Sequence, residues 1–244
     1  MAGLLALVGG DEFNPGNEPQ DRLLAAAAGK GPAYVIPTAA ARTRPDLAVA
    51  HAQRWFASLG LEVAELPVLS RRDARSPELA ARASAGRMFY LVGGDPGLVV
   101  RVLGGTPVWS AMEQAWRAGA ALAGSSAGAM ALCAWTLIRA AWPVSHGRRY
   151  LDALGVVPAT AVVPHFETFG HRWLPSATEA LPDPDARLLG LDERTAALWD
   201  GRWRVAGASR VTLVRGGSRA GFGAGEELMG LPDPRVEGPG QGRA

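Results

Sequence analysis

The 244-residue sequence has a single cysteine and no long hydrophobic run. One cysteine excludes a disulfide bond within the chain, and the apolar segment around Cys133 predicts that this residue is buried as a small hydrophobe. No apolar run reaches the length of a membrane span, and no basic segment with a hydrophobic core opens the sequence. We therefore expect a cytoplasmic protein without a membrane partner.

The sequence also lacks a dense cluster of basic and aromatic residues. The formal net charge is +2, and the basic residues, almost all of them arginine, are scattered along the chain. Scattered charge does not build the continuous positive surface that nucleic acids require, so we expect no nucleic-acid partner. No G-x-G-x-x-G pattern follows the first apolar run, and we predict no cofactor.

Short apolar runs alternate with amphipathic segments along the chain. We predict strands over residues 3–8, 33–36, 61–66 and 88–92, and helices between them over residues 21–28, 45–59 and 77–85. Strands separated by helices favour an α/β fold with a largely parallel sheet. We assign residues 1–230 to one domain and expect a flexible tail over residues 231–244, where glycine and proline accumulate.

Residues 124–128 form a G-S-S-A-G motif between a predicted strand, residues 120–123, and a predicted helix, residues 129–135. A sharp turn from strand to helix requires small residues, and it exposes the hydroxyl of its apical serine, Ser126, at the carboxyl edge of the sheet. The Ala127 amide would then face a developing oxyanion at the helix N-terminus. The alternative interpretation is a tight packing turn without a catalytic role.

A serine nucleophile needs a base, and the chain has four histidines. His165 follows a predicted strand, residues 160–163, and is the preferred base, whereas His171, at a predicted helix start, is the alternative. His51 lies within a predicted helix and His146 in an arginine-flanked loop, so we expect both at the surface or in packing roles.

A carboxylate that orients the base completes such a site, and Asp192 and Glu193 follow the next apolar run, residues 188–191. We choose Glu193 and keep Asp192 as the reserve. His165, Glu167 and His171 are residue types that bind metals, but no cysteine accompanies them and we predict no metal site.

Four motifs occur in a fixed order: G-G-D at residues 93–95, G-S-S-A-G-A at 124–129, P-H-F at 164–166 and G-L-D-E-R-T at 190–195. Together they resemble peptidase family S51, which includes aspartyl dipeptidase (peptidase E) and cyanophycinase. The resemblance implies a three-layer α/β/α sandwich with a mostly parallel sheet, similar to the class I glutamine amidotransferases, with serine in place of their cysteine.

The resemblance also implies the roles of the site residues. Ser126 would be the nucleophile, His165 the base and Glu193 the orienting acid. The amides of Gly94 and Ala127 would form the oxyanion hole. Pro96 follows the G-G-D motif where cyanophycinases usually carry glutamine.

The expected activity is hydrolysis of short peptides by a serine-type peptidase, with aspartate in an α- or β-linked bond as the preferred residue. We propose Asp95, Arg148, Arg149 and Arg172 as substrate-binding residues. The three arginines are candidates to bind a substrate carboxylate, because guanidinium groups pair well with carboxylates. The expected partner is a small peptide substrate, and the apolar helix faces are compatible with a core or with a homodimer interface. A non-catalytic binding or regulatory module and an esterase or amidase are the alternatives.

Overall fold

A computed structural model describes residues 1–139 and 147–235 of the chain. The described residues form seven α-helices: α1 (Glu18–Ala28), α2 (Pro45–Ser58), α3 (Pro77–Ser84), α4 (Pro96–Leu103), α5 (Pro107–Arg117), α6 (Ala127–Leu132) and α7 (Leu174–Glu179). They also form thirteen strands: β1 (Leu5–Val8), β2 (Ala33–Ile36), β3 (Ala64–Glu65), β4 (Met88–Leu91), β5 (Ala121–Ser125), β6 (Cys133–Arg139), β7 (Arg148–Asp152), β8 (Val157–Val163), β9 (Arg187–Leu191), β10 (Thr195–Trp199), β11 (Trp203–Gly207), β12 (Arg210–Arg215) and β13 (Ser218–Gly223).

Side-chain caps fix the starts of three helices. Ser76, Asp95 and Thr106 each precede a proline at the first helical position, and each side chain accepts a backbone N–H from the first turn, of α3, α4 and α5 respectively. A proline at this position loses no helical hydrogen bond, and the cap satisfies an amide that the helix leaves free. The same sequence pattern therefore begins each of these helices.

The first sheet has seven strands in the order β11-β10-β1-β5-β4-β2-β3. Strands β1 to β5 are parallel to one another, and β10 and β11 add antiparallel strands at one edge. Helices cover both faces, because Leu5 and Leu7 of β1 belong to one apolar core and Ala6 and Val8 to the other. Burial on both faces explains why these strands are continuous apolar runs.

The second sheet has six strands in the order β13-β12-β9-β8-β6-β7. Its central strands β6, β8 and β9 are parallel, whereas β7, β12 and β13 pair antiparallel with their neighbours. The connection from β9 to β10 leads from this sheet to the first one. The predicted α/β architecture with parallel strands is confirmed, and the second sheet is an addition that the sequence pattern did not indicate.

Two local predictions beside the elbow are wrong. The helix predicted through residue 135 ends at Leu132, because Cys133 begins β6, which pairs with β7 and β8. Arg148 and Arg149, which follow His146 and were expected in its arginine-flanked loop, belong to β7, which ends at Asp152. Ladder hydrogen bonds decide both places, over local helix propensity around Cys133 and over an expected loop at Arg148 and Arg149. Cys133 is fully buried, as predicted.

Three further predictions concern the C-terminal tail, His146 and membrane-spanning segments. Residues 231–235 contact the domain, because the Trp203 indole donates to the carbonyl of Pro232 and the Arg235 amide donates to the carbonyl of Val156. Residues 236–244 of the expected tail lie outside the described residues, as does His146. Among the described helices, none combines the length and hydropathy that a membrane-crossing segment needs.

Candidate active site

Ser126 stands at the junction of β5 and α6 in a strained backbone conformation, with φ 48° and ψ −109°. Its N–H donates to the carbonyl of Val8 at 2.9 Å, and this bond ties the turn to β1. A Cβ at Gly124 would lie 2.5 Å from the carbonyl carbon of Gly128, and a Cβ at Gly128 would lie 2.3 Å from the carbonyl oxygen of Leu91. The glycines of the motif therefore let strand and helix meet directly. The strained apex is typical of a nucleophile elbow.

His165 follows β8 and reaches Ser126 from the second sheet. Its Nε2 lies 3.1 Å from Ser126 Oγ. Its backbone N–H donates to the carbonyl of Gly9 at 2.8 Å, and a Cβ at Gly10 would lie 2.2 Å from the imidazole Cε1. The glycine pair after β1 thus provides both the anchor and the space for the imidazole.

Glu193 lies in the connection between the two sheets, with its Oε1 2.7 Å from His165 Nδ1. The Thr168 hydroxyl donates to the same oxygen at 3.3 Å. The backbone N–H of Glu193 donates to both Glu167 carboxylate oxygens, at 2.9 and 3.0 Å. Burial raises the pKa of the Glu167 carboxyl, and this amide bond opposes the shift. Glu193 is thus held at its backbone by Glu167 and at its carboxylate by His165 and Thr168.

The two reserve residues have other partners. The Asp192 carboxylate is buried and accepts the hydroxyl of Ser209 at 2.7 Å and the N–H of Arg210 at 3.2 Å, so it holds the start of β12. His171 is exposed, and its Nδ1 donates to the carbonyl of Phe166 at 2.9 Å. Of the sequence candidates, the structure therefore brings Ser126, His165 and Glu193 together. No group of three metal-ligating side chains occurs among the described residues.

The two amides predicted for an oxyanion hole border the same space. Ala127 is the first residue of α6, and Gly94 has φ 140°, with its Cα packed against the backbone of Ala39. In the described part of the chain, no backbone acceptor pairs with either amide, whereas the neighbouring N–H of Gly93 donates to Glu12. Gly94, Ala127 and Ser126 line one cavity.

This cavity has a volume of about 530 Å³, and its lining has more positive than negative side chains. Its charged lining residues are Arg101, Arg139, Arg148 and Asp95. Arg139 and Arg148 are directly opposite each other in the β6–β7 pair, and burial together with Arg139 lowers the pKa of Arg148. Two like charges facing each other are unfavourable unless an anion lies near them.

Asp95 has structural partners within this wall. One carboxylate oxygen accepts the N–H of Leu98 at 3.0 Å and the other lies 3.5 Å from the Arg101 guanidinium. Of the three arginines proposed from sequence, Arg148 lines the cavity, whereas Arg149 and Arg172 are exposed residues outside its lining. Arg149 lies outside the cavity lining because it follows Arg148 on β7, and successive side chains of a strand point to opposite faces.

A row of planar side chains connects the His165 imidazole to Arg148 in the cavity lining. The rings of His165 and Phe169 lie 4.9 Å apart at 20°, and those of Phe169 and Trp173 lie 5.2 Å apart. The Arg148 guanidinium lies 4.1 Å from the centre of the Trp173 ring. Aromatic and cation–π contacts of this kind fix side-chain orientation. The spacing of Phe169 and Trp173 from His165, at four and eight residues, was a sequence signal for this row.

Sequence reasoning missed other members of the site. Arg139 lies in the segment that follows the expected helix, so its pairing with Arg148 was hidden. Arg101, on α4, gave no signal beyond an ordinary charge in the last helical turn. Glu12 follows the Gly9–Gly10 pair, and that pair was the only indication that its loop reaches the site.

Comparison with known proteins identifies relatives. The model of peptidase family S51 matches residues 4–203. A curated cyanophycinase from Synechococcus elongatus is 32% identical over 188 residues, which cover 74% of this chain and 57% of that protein. The match thus spans little more than half the length of this relative.

Two solved structures are similar over nearly the whole chain. A peptidase from an acI-B1 Actinobacterium has a TM-score of 0.82 and 32% identity, with 93% of this chain and 97% of that chain covered. A putative peptidase E protein from Listeria monocytogenes has a TM-score of 0.59 and 17% identity, with 91% and 99% covered, and at this identity it bears on the fold alone. The predicted family resemblance and fold class are confirmed.

Proposed function

Because the chain belongs to peptidase family S51, we propose that it is a serine peptidase with Ser126 as nucleophile, His165 as base and Glu193 as orienting acid. The observation that carries the proposal is the continuous contact from Ser126 Oγ to His165 Nε2 at 3.1 Å and from His165 Nδ1 to Glu193 Oε1 at 2.7 Å. A nucleophile, a base and an orienter in hydrogen-bonding reach are the requirements for acyl transfer by serine.

In the first step, His165 Nε2 takes the proton of the Ser126 hydroxyl as Oγ attacks the scissile carbonyl carbon. The imidazolium that forms is stabilised by the Glu193 carboxylate at Nδ1. His165 then gives its proton to the leaving amine, and the C–N bond breaks to leave an acyl group on Ser126. Water attacks this ester with His165 again as base, and His165 returns the proton to Ser126 Oγ as the ester C–O bond breaks and the acid product leaves.

The tetrahedral intermediate carries a negative oxygen, which needs hydrogen-bond donors. The N–H groups of Gly94 and Ala127 border the cavity beside Ser126, and we assign them to this oxyanion. Ala127 gains from its position at the first turn of α6, where backbone amides have no helical partner.

The excess of positive side chains in the cavity lining supports the proposal of a substrate with a carboxylate group. Arg139 and Arg148 face each other on its wall, and the nearest acidic lining residue, Asp95, already caps α4 and pairs with Arg101. A substrate carboxylate would relieve the repulsion between the two guanidinium groups. We therefore propose short peptides with an α- or β-linked aspartyl bond, whose size suits a cavity of about 530 Å³.

The test is release of free amine from matched short peptides with α-aspartyl, β-aspartyl, asparaginyl and alanyl residues before the scissile bond. We expect the aspartyl peptides to be cleaved fastest and the Ser126→Ala variant to be inactive on all of them. Cleavage of esters alone would identify an esterase, and absence of turnover with every substrate would favour a non-catalytic binding module. Either outcome would contradict the peptidase proposal.

A further inference from the structure

Glu12 lies in the loop after β1, behind the nucleophile, and contacts two other loops of the site. One carboxylate oxygen accepts the N–H of Gly93 at 2.8 Å, and the other accepts the hydroxyl of Ser125 at 2.8 Å. Gly93 immediately precedes Gly94, and Ser125 immediately precedes Ser126. A single carboxylate therefore joins the loop of the proposed oxyanion donor to the nucleophile elbow.

Gly93 is closely packed between the Glu12 carboxylate and Ser126, so the hydrogen bond from its N–H to Glu12 leaves little space for a different geometry. A Cβ at Gly93 would lie 3.0 Å from the Glu12 carboxylate and 3.5 Å from the Cβ of Ser126. On its other side, Gly94 packs against the carbonyl of Ala39, and the N–H of Asp95 donates to that carbonyl at 2.9 Å. The loop is thus held between Glu12 and Ala39, and these contacts set the position of the Gly94 amide.

We propose that Glu12 is a positioning residue for the oxyanion hole, which fixes the Gly94 amide relative to Ser126. This inference rests on the proposed function. A negative charge behind the oxyanion hole would repel a developing oxyanion, so the benefit of Glu12 is its geometry as a double acceptor. The proposal therefore predicts that a neutral side chain of the same shape is a good replacement.

Glu12→Ala and Glu12→Gln separate geometry from charge. Alanine removes both hydrogen bonds, whereas glutamine keeps an oxygen for the Gly93 amide and presents its NH₂ group to the Ser125 oxygen. We expect Glu12→Ala to lower kcat by roughly 10–100-fold with KM within about threefold, because a displaced oxyanion donor acts on the transition state. Glu12→Gln should recover kcat to within about fivefold of wild type, a difference that reflects one altered hydrogen bond.

Glu18→Ala is the matched control. Glu18 is a carboxylate in the same segment that accepts a backbone N–H, that of Gly16 at 2.6 Å, but it touches neither the Gly93 loop nor the elbow. We expect its kcat to be unchanged. Ser125→Ala removes one of the two Glu12 contacts and leaves the Gly93 bond, and we expect a loss of about threefold to tenfold in kcat. If Glu12→Ala does not fold, this variant and Glu12→Gln decide the question.

Two readouts make failure of this inference distinguishable from failure of the proposed function. The first is the rate at which a fluorophosphonate labels Ser126, which requires oxyanion stabilisation but no known substrate. The second is hydrogen exchange of the backbone amides of residues 92–95, which requires no activity. In Glu12→Ala we expect slower labelling and faster exchange in this segment, and in Glu18→Ala we expect neither.

Three results would overturn the inference. They are unchanged exchange of residues 92–95 in Glu12→Ala, equal losses of activity in Glu12→Ala and Glu18→Ala, and a loss in Glu12→Gln as large as in Glu12→Ala. If wild type is not labelled at all, the proposed function fails, while hydrogen exchange still decides whether Glu12 holds the loop.

Discussion

The two sheets supply different kinds of residue to the site. The first sheet places Ser126 and the loop of Gly94 at the ends of β5 and β4, where the strands are fully buried and held by parallel pairing. The second sheet contributes His165 after β8 and the paired Arg139 and Arg148, whose strand β7 is largely exposed or half-buried.

The proposed function assigns His165 to the chemistry, together with Ser126 and Gly94 of the first sheet, and assigns the two arginines to the selection of substrate. The groups at the ends of buried strands are fixed by backbone hydrogen bonds and by close packing around glycines, where an added Cβ would clash with its neighbours. Arg139 is exposed and Arg148 is half-buried on their antiparallel strand pair, so these two side chains can change without disturbing the buried core. We therefore expect substitutions of Ser126 or His165 to abolish turnover and substitutions of Arg139 or Arg148 to change substrate affinity.

The largest effect should follow loss of the base. We expect His165→Ala to lower kcat/KM by about 10⁴-fold, because the Ser126 hydroxyl then has no proton acceptor. His171→Ala is the control, since His171 is exposed and bonded to a backbone carbonyl, and it should retain activity. Steady-state kinetics on an aspartyl peptide checks both, and a similar loss in the two variants would remove His165 from the mechanism.

Loss of the orienting acid should have the next largest effect. We expect Glu193→Gln to lower kcat by about 10²–10⁴-fold, because the imidazolium loses its charged partner. Asp192→Asn should instead lower the free energy of unfolding by about 1–2 kcal/mol with turnover retained, since Asp192 binds Ser209 and Arg210. Kinetics and urea denaturation on both variants distinguish the two roles, and the reverse pattern would assign the acid to Asp192.

The cost of burying a charge beside the first sheet can be measured through the pH dependence of stability, because Asp21 of α1 is buried there. Burial raises its pKa from 3.8 to about 7, while the Trp55 indole, which donates to it at 2.7 Å, opposes the shift. The folded state therefore binds this proton more tightly, so the stabilisation is complete below about pH 4 and is lost as pH rises to about 7. At roughly 1.4 kcal/mol per pH unit, the total is about 4 kcal/mol.

Urea denaturation between pH 4 and pH 8 tests this prediction. Asp21→Asn should remove the decrease in unfolding free energy, because asparagine keeps an acceptor for Trp55 and does not titrate in this range. Asp46→Asn, at an exposed carboxylate paired with Arg44, should keep the wild-type slope. Equal slopes in wild type and Asp21→Asn would show that Asp21 is not the group responsible.

A smaller effect should follow loss of the cavity arginine. We expect Arg148→Met to raise KM for aspartyl peptides by about tenfold or more, the equivalent of one charge-assisted hydrogen bond, with little change for alanyl peptides. Arg149→Met is the control from the same strand, because Arg149 lies outside the cavity lining. Equal effects of the two substitutions on KM would contradict the proposed binding site.

The smallest effect concerns backbone strain at the elbow. Because Ser126 has φ 48° and ψ −109°, we expect Ser126→Gly to be more stable than Ser126→Ala by about 1 kcal/mol, although both are inactive. At Ser110, within α5, the order should reverse, since glycine in a helix is less favourable than alanine by about 1 kcal/mol. Thermal unfolding of the four variants gives both differences, and the same sign at both positions would contradict the strain argument.

Much of the first half of the molecule could be predicted from its sequence. Apolar runs of strand length marked β1, β2, β4 and β5, and small residues marked the elbow at Ser126. Position after a strand also selected His165 and Glu193, because the carboxyl ends of neighbouring parallel strands meet at one edge. Their catalytic roles stay predictions.

The second sheet was harder to predict, for a physical reason. Its ladder between β6 and β7 joins residues on either side of residues 140–147, and the segment around Cys133 has no local pattern that favours strand over helix. Pairing partners decide such segments. The alignment of Arg139 with Arg148, and the double contact of Glu12 with Gly93 and Ser125, depend on tertiary structure and had no periodic signal.

The most direct test of the account is the site at which a fluorophosphonate becomes attached, found by mass spectrometry of the labelled and digested protein. We predict one adduct per chain on the peptide that contains Ser126, no adduct in Ser126→Ala, and much slower labelling in His165→Ala than in His171→Ala. Attachment to another residue, or labelling of Ser126→Ala at the wild-type rate, would contradict the assignment of Ser126 as the nucleophile.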